Sequence, residues 1–341
     1  MDKFFKISER GSTVRTEIFA GLTTFFAMCY IVVVNPAQVA AGGAGGWLAE
    51  LGADSAALGQ IWNSVYIASI LVAIVGTLLM AFYAKMPFAQ ACGMGLNSFF
   101  CTSFISAAHF NGVDLIDGYQ SGCVIILASG LVFLVLSVTG LRKYIAKSLP
   151  DCLKKAIPAG IGLFIAYIGF QNAGIIVHNA YTQVGFVDLT NWGEQIVNVG
   201  NPPAFAAKTA VVALIGLCLI AILDKLKVKG SIIFVILGAT IVVIPFGVTD
   251  LSVLKTGWKF WENFANFFTG ENTVFLSFTD AFKTGFPEGS VFTVIMVIIT
   301  MCMIDMFDTM GTIVGCCGGN RILSDENNKP HNYGQIMICD A

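Results

Sequence analysis

Charge-free stretches long enough to cross a lipid bilayer recur from one end of this chain to the other, and they leave it little choice of fold. Ile18 to Ala49, Ser55 to Ala84, Met86 to Val113, Gly118 to Leu141 and Ala156 to Val187 contain no Asp, Glu, Lys or Arg. Each exceeds the roughly 20 apolar residues a helix needs to span hydrocarbon. Thr209 to Leu223 is shorter, but Ala204 to Ala207 extend it while Lys208 snorkels outward. Gly230 to Thr249 follows, and a last run between Glu288 and Arg321 holds Asp305 and Asp308 as its only charges. Lipid offers no partner for backbone N–H and C=O, so runs of this kind must be helical. The expected fold class is an all-α polytopic membrane protein with about eight spans.

Composition agrees. The 341 residues are 56% hydrophobic and 12% charged, about half the charged fraction of a soluble domain. A net charge of -2 provides no concentrated basic face, so no nucleic-acid partner is expected. With the N-terminus in the cytoplasm, alternate connections hold all of the 19 Lys and Arg except Lys208, Lys255, Lys259 and Lys283, the bias of a cytoplasmic face. The five Trp, at 47, 62, 192, 258 and 261, lie on or near the opposite connections, as interfacial anchors would. The first apolar run is too long for a signal h-region, so a multi-pass protein of the cell (plasma or inner) membrane is expected. The ten Cys show no CxxC spacing and sit mostly within spans, where they read as small apolar filler rather than metal ligands.

Two long connections, Val177 to Pro203 and Asp250 to Pro287, fall on the outer side. The second contains "GWKFWENFANFF", either a helix lying in the interface or an ordinary outer cap. The basic connection "LRKYIAKSLPDCLKKAIP" (141–158) separates spans one to four from five to seven.

The third span opens "KMPFAQACGMGLNSFF" and does not read as a continuous helix. Pro87 biases Met86 toward extended geometry, and Gly93 and Gly95 follow closely. A short extended piece at Phe88 to Ala91, then a helix starting near Gly93, is the expectation. Non-helical backbone at membrane depth is tolerated only where it lines a cavity or is buried in protein. A helix start there offers free N–H groups and a partial positive charge to a ligand, with the side-chain amides of Gln90 and Asn97 beside it. The alternative is a glycine face packed on a neighbouring helix. Asn35-Pro36 bends or ends the first span, and Gln171 and Asn172 in the fifth are explained by polar helix contacts alone.

Asp305, Asp308, Thr309 and Thr312 recur at three- and four-residue spacing and form one polar stripe. An acid at the bilayer centre costs several kcal/mol, so such residues mark a pathway or a site. Desolvation and a like charge one turn away both favour the neutral carboxyl, which makes the pair a candidate proton carrier. An ionised member would accept hydrogen bonds from the N–H groups of a ligand. The structural alternative is an acid pair held by internal donors, although no other span carries a Lys or Arg within its charge-free core.

"TEIFAGLTTFFAMCYIVVVNP", "FAQACGMGLNSFF", "KKAIPAGIGLFIAYIGFQNAGII" and "MIDMFDTMGTIVG" together resemble the adenine/guanine/hypoxanthine (azaguanine-type) permease branch of the xanthine/uracil permease superfamily, in family order and across the whole chain. The resemblance implies a proton-coupled purine importer that works by alternating access and is built as two inverted seven-span repeats with broken helices. It implies a core bundle over 1–140, a cytoplasmic connector at 141–155, a gate bundle over 156–249, an outer connection at 250–288 and the start of a second repeat over 289–341. The family pattern continues past residue 341, so a C-terminally truncated chain is expected. By motif, Asp305 would contact the purine ring and Asp308 would serve proton coupling, with Asn97, Gln90, Gly93, Gly95 and Thr309 completing the substrate site. The expected partners are a purine base, the lipid bilayer and a second copy in a homodimer. No cofactor and no metal is expected, the proton being the coupling ion.

Two other classes fit less well. A membrane-embedded Mg-dependent prenyltransferase would need two DxxD motifs near the aqueous boundary and basic residues for diphosphate, whereas one DxxD lies here at mid-span. An anion transporter or channel on the same fold would be poorly served by an acidic pair, and an aspartyl protease would carry its acids on separate helices.

Overall fold

The computed structural model describes residues 5, 7, 12–42, 47–140, 150–179, 182–194, 206–228, 230–246, 291–317 and 333–340. Among these, five helical stretches are long and apolar enough to cross a membrane: Val14–Val39, Ser55–Ala84, Leu115–Val138, Ala206–Lys225 and Val291–Ile313. Ala156–Asn172 and Ser231–Val243 are shorter apolar helices. The expected interfacial segment "GWKFWENFANFF" lies outside the described residues.

The first span is two helices, α1 (Val14–Met28) and α2 (Ile31–Val39), joined through Cys29 and Tyr30. Thr13 caps α1 by accepting the Thr16 N–H at 3.3 Å, which satisfies one of the donors a helix start leaves free. The expected bend at Pro36 is displaced. Pro36 lies inside α2, and the irregularity falls a turn and a half earlier, where the Val32 and Val33 N–H groups bond back three residues to Cys29 and Tyr30. A short α3 (Trp47–Glu50) precedes α4 (Ser55–Leu79), whose N-cap Asp54 accepts the Ala56 N–H at 2.9 Å. The chain then makes a π-helical turn over Met80–Ala84 and stops at Lys85, which has a left-handed φ of 54°.

Residues 86–93 form neither helix nor strand, and α5 (Met94–Phe100) starts from Gly93, whose backbone is extended. A π-helical segment (Cys101–Ser106) and α6 (Ala107–Phe110) continue it, so the broken third span has one helical half. The seventh helix, α7 (Leu115–Val138), is capped by Asp114 and followed by α8 (Asp151–Asn172), which begins within the stretch expected as a connector. Gly174, with φ 74°, ends that helical run and leads into strands β1 (Ile176–Asn179) and β2 (Gln183–Phe186), paired antiparallel with Ile176 opposite Phe186. This hairpin departs from an all-α expectation. Its β-branched "IIV" is apolar and uncharged, which is why a charge-free run could not separate it from the fifth span. Helices α9 (Ala206–Lys225), α10 (Ser231–Val243), α11 (Val291–Cys317) and α12 (Tyr333–Asp340) complete the described chain.

Helix α11 is central. It packs on α7 along one side, on α8 along another, and touches α5. Two buried clusters flank it. One joins Val39, Ala40 and Ala41 with Leu58, Ile61, Phe100, Phe104, Ile125 and Met301. The other joins Met80, Ala84, Met86 and Phe133 with Cys302, Met306, Met310, Ile313 and Ile336 of α12. Elsewhere large apolar side chains face outward, among them Ile18, Phe25, Val72, Phe82, Leu163, Phe234, Val291 and Phe292, as a lipid-facing surface requires. The protein is a helical multi-pass membrane protein.

Candidate functional site

The non-helical segment 86–93 is held against α4. The Gln90 N–H donates to Thr77 Oγ1 at 3.1 Å. A Cβ built on Gly76 would lie 3.0 Å from the Gln90 Cβ, so the glycine lets the segment pass closely and Thr77 satisfies one of its exposed donors. At the end of the segment Gly93 takes the N-cap position of α5 with no side-chain cap. Its φ of -74° and ψ of 120° suit any residue, so backbone freedom does not explain a glycine here.

Space does. A Cβ on Gly93 would lie 2.7 Å from Asp308 Oδ2, closer than a real Cβ tolerates. The Asp308 carboxylate of α11 is therefore seated on the glycine at the start of α5. An acid and the positive end of a helix dipole meet at the point where the third span breaks. The two sequence features singled out independently, the glycine break and the acid pair, are one place in the molecule.

The other expected residues surround this point unequally. Asp305 lies one turn before Asp308 on α11 and is half-buried, as is Asp308. Thr309 is buried, and its hydroxyl donates to the Asp305 carbonyl at 2.9 Å. Thr312 does the same to the Asp308 carbonyl at 3.0 Å. Both threonines therefore spend their hydroxyl proton on their own helix, and Thr309 supports the turn that carries the acids. Gly95 is exposed, and a Cβ there would meet nothing within 4 Å, so it borders open space beside the break. Asn97, one turn into α5, has its Nδ2 buried with no hydrogen-bond partner. Gln90 belongs to the packing against α4 through its backbone and Cβ.

Sequence reasoning took Asn35 only as part of an Asn-Pro bend and passed over Gln38 on the same helix. Asn35 is buried and donates through Nδ2 to Ser69 Oγ, and Gln38 reaches Ser98 Oγ of α5 at 3.5 Å through Nε2. The signal was present: Asn35 and Gln38 are three apart in an otherwise apolar segment, which puts two amides on one helix face.

The xanthine/uracil Permease family profile matches residues 15–334. The chain belongs to the xanthine/uracil permease family. A guanine/hypoxanthine permease of Escherichia coli O157:H7, GhxP, is 34% identical across 100% of this permease and 65% of its own length. Guanine/hypoxanthine permease PbuO of Bacillus subtilis is 31% identical across 99% of this permease and 66% of its own length. Adenine permease AdeP of Escherichia coli K12 is 27% identical, covering 100% and 64% respectively. The chain thus spans slightly less than two thirds of the length of these relatives. The four motifs that suggested the purine branch are answered by relatives bearing purine permease names. Membership in a family of permeases sets aside the prenyltransferase reading of the DxxD pair.

Proposed function

We propose that the protein imports purine nucleobases, guanine, hypoxanthine or adenine, by proton-coupled alternating access, with its N-terminus in the cytoplasm. The observation that carries this reading is the seating of the Asp308 carboxylate on Gly93, which joins a titratable group to a helix start inside a chain whose relatives are named for purine transport. Asp305, exposed enough to meet a solute, accepts N–H groups of the purine ring. Asp308 takes up and releases the coupling proton, and its position against α5 links that event to the half-helix beneath the ligand. Asn97 donates to a ring acceptor, and Gly95 leaves the approach open.

Movement has a natural surface. Gly311 and Gly315 lie on one face of α11 against Ile157, Pro158 and Ile161 of α8. The isoleucines occupy the space that a side chain at Gly311 would fill, so α11 and α8 approach closely there. In this reading the α8–α11 contact is the seam between the acid-bearing helix and the gate bundle, and its repacking accompanies transport.

The experiment is uptake of labelled hypoxanthine, guanine and adenine by a purine-transport-deficient host expressing the full-length protein, with and without a protonophore. Uptake that collapses with the protonophore is expected. Asp305→Asn abolishes uptake, while Asp308→Asn impairs accumulation against a gradient more than it raises KM. Wild-type rates in Asp305→Asn would refute the site, and uptake indifferent to the protonophore would refute the coupling.

A further inference from the structure

Two neighbouring helices bury hydrogen-bonding groups that find no partner among the described residues. On α2 the Oε1 of Gln38 is buried without a partner, and so is the Oδ1 of Asn35, a residue only 3% exposed. On α5 the Nδ2 of Asn97 is in the same position. Buried polar groups are paired in the great majority of cases, and exceptions call for a reason. Helices α2 and α5 pack on each other, and Gln38 Nε2 contacts the hydroxyl of Ser98, the residue after Asn97. With Nε2 engaged by the Ser98 hydroxyl, Gln38 leaves an acceptor open on α2, and Asn97 leaves a donor open on α5.

We infer that Gln38 is a substrate-reading residue: its side-chain amide, together with Asn97, pairs with the donor–acceptor edge of the purine six-membered ring. Such a pair is matched by a flat ligand carrying a donor and an acceptor side by side. The lactam of hypoxanthine and guanine is such an edge, with N1–H donating to Gln38 Oε1 and the C6 carbonyl accepting from Asn97 Nδ2. Inorganic anions lack the donor and simple amines lack the acceptor. The location fits, because Val39, Ala40 and Ala41 at the end of α2 share a buried cluster with Phe100 and with Met301, one turn before Asp305 on α11. Helices α2, α5 and α11 thus converge, and the ligand is held between two amides and a carboxylate. Asn35, bonded to Ser69 of α4, fixes the face of α2 on which Gln38 stands.

This inference rests on the purine reading and is tested by removing the same hydrogen bond from either side. In the wild-type protein, 1-methylhypoxanthine, which lacks N1–H, should compete for labelled hypoxanthine uptake at least about tenfold less well than hypoxanthine itself, because a buried acceptor is left unpaired. In Gln38→Met, of similar length but without the amide, hypoxanthine should weaken by about the same factor and the two ligands should come within about threefold of each other. A Gln38 with a purely structural role would weaken both ligands equally and leave their ratio unchanged. Retained discrimination in Gln38→Met, at a membrane level confirmed by immunoblot, overturns the inference and leaves the transport reading standing. Should Gln38→Met fail to reach the membrane, the wild-type comparison decides, since indifference to N1-methylation overturns it equally. Wild-type protein that takes up no purine overturns both.

Discussion

Gly93→Ala isolates the contact on which the site depends. The backbone at Gly93 suits alanine, so the substitution carries no torsional penalty. Its effect comes from a Cβ placed 2.7 Å from Asp308 Oδ2 and 3.8 Å from Asp308 Cγ. The carboxylate must swing away, which costs about 0.5–1.5 kcal/mol if it leaves its rotamer well. It also loses its place at the helix start, worth about 0.3–2 kcal/mol. Together with about 0.5 kcal/mol for alanine in place of glycine at an N-cap, a destabilisation of about 1–4 kcal/mol is expected. The assay is a double-mutant cycle with Asp308→Ala, read as the thermal midpoint of the detergent-purified protein and as protonophore-sensitive uptake. Once the carboxylate is gone, Gly93→Ala should retain only its small capping penalty, and the cycle should show a coupling of about 1–3 kcal/mol. An equal loss from Gly93→Ala in both backgrounds would mean that Gly93 and Asp308 do not act on each other, and the junction of acid and broken helix would be refuted.

Gly95→Ala, with open space around its Cβ, should keep or raise the thermal midpoint, because alanine favours a helix by about 1 kcal/mol over glycine. Uptake should nevertheless fall if the purine lies against that backbone, and unchanged uptake at unchanged KM would remove Gly95 from the site. Gly311→Ala puts a Cβ 2.4 Å from Ile161 Cδ1 and 2.8 Å from Ile157 Cγ2, so it should destabilise by about 1–3 kcal/mol through overpacking. Adding Ile161→Ala should relieve part of that loss; a strictly additive double variant would show that the α8–α11 contact is not the cause. Thr309→Val should lower stability modestly while sparing substrate selectivity, since the Thr309 hydroxyl serves the Asp305 carbonyl. A changed order of preference among purines would instead make Thr309 a ligand contact.

Helix existence was legible because the bilayer makes the signal long and uniform, while helix ends were legible only where they coincided with charge. Ser55 to Ala84 was bounded by Asp54 and Lys85, which turned out to be the N-cap and the left-handed stop residue. The same rule misplaced the start of α7. Its opening is set by Asp114 as a cap with Asp117 in the first turn, so acids that begin the helix were excluded from the run that was meant to define it. At the fifth span the rule failed at both ends. Asp151, Lys154 and Lys155 belong to α8, and the chain leaves the helix after Asn172 through an uncharged turn and hairpin. Pro36 misled for a different reason: a proline strains the turn before it, so the irregularity appears upstream of the residue that announces it.

The site divides along the same line. A proline closely followed by glycines in one apolar run, and two acids in another, are conspicuous because each violates the rule that governs its surroundings. Their meeting could not be read from either, since it depends on α11 passing the start of α5 at one particular height. Gln38 went unnoticed because one amide in a long apolar span is ordinarily satisfied by a neighbouring helix. Only the arrangement in space reveals that its amide is half used, with Ser98 on one end and nothing on the other. The asymmetry is chemically meaningful. Acids in lipid are costly enough to be seen in a sequence, whereas the amides that would sort one purine from another are cheap and ordinary. If selectivity resides in Gln38 and Asn97 while coupling resides in Asp308, variants of α2 and α5 should change which base is carried without uncoupling it from the proton. Variants at Asp308 should do the reverse, and a single substitution that moved both properties together would argue against that division.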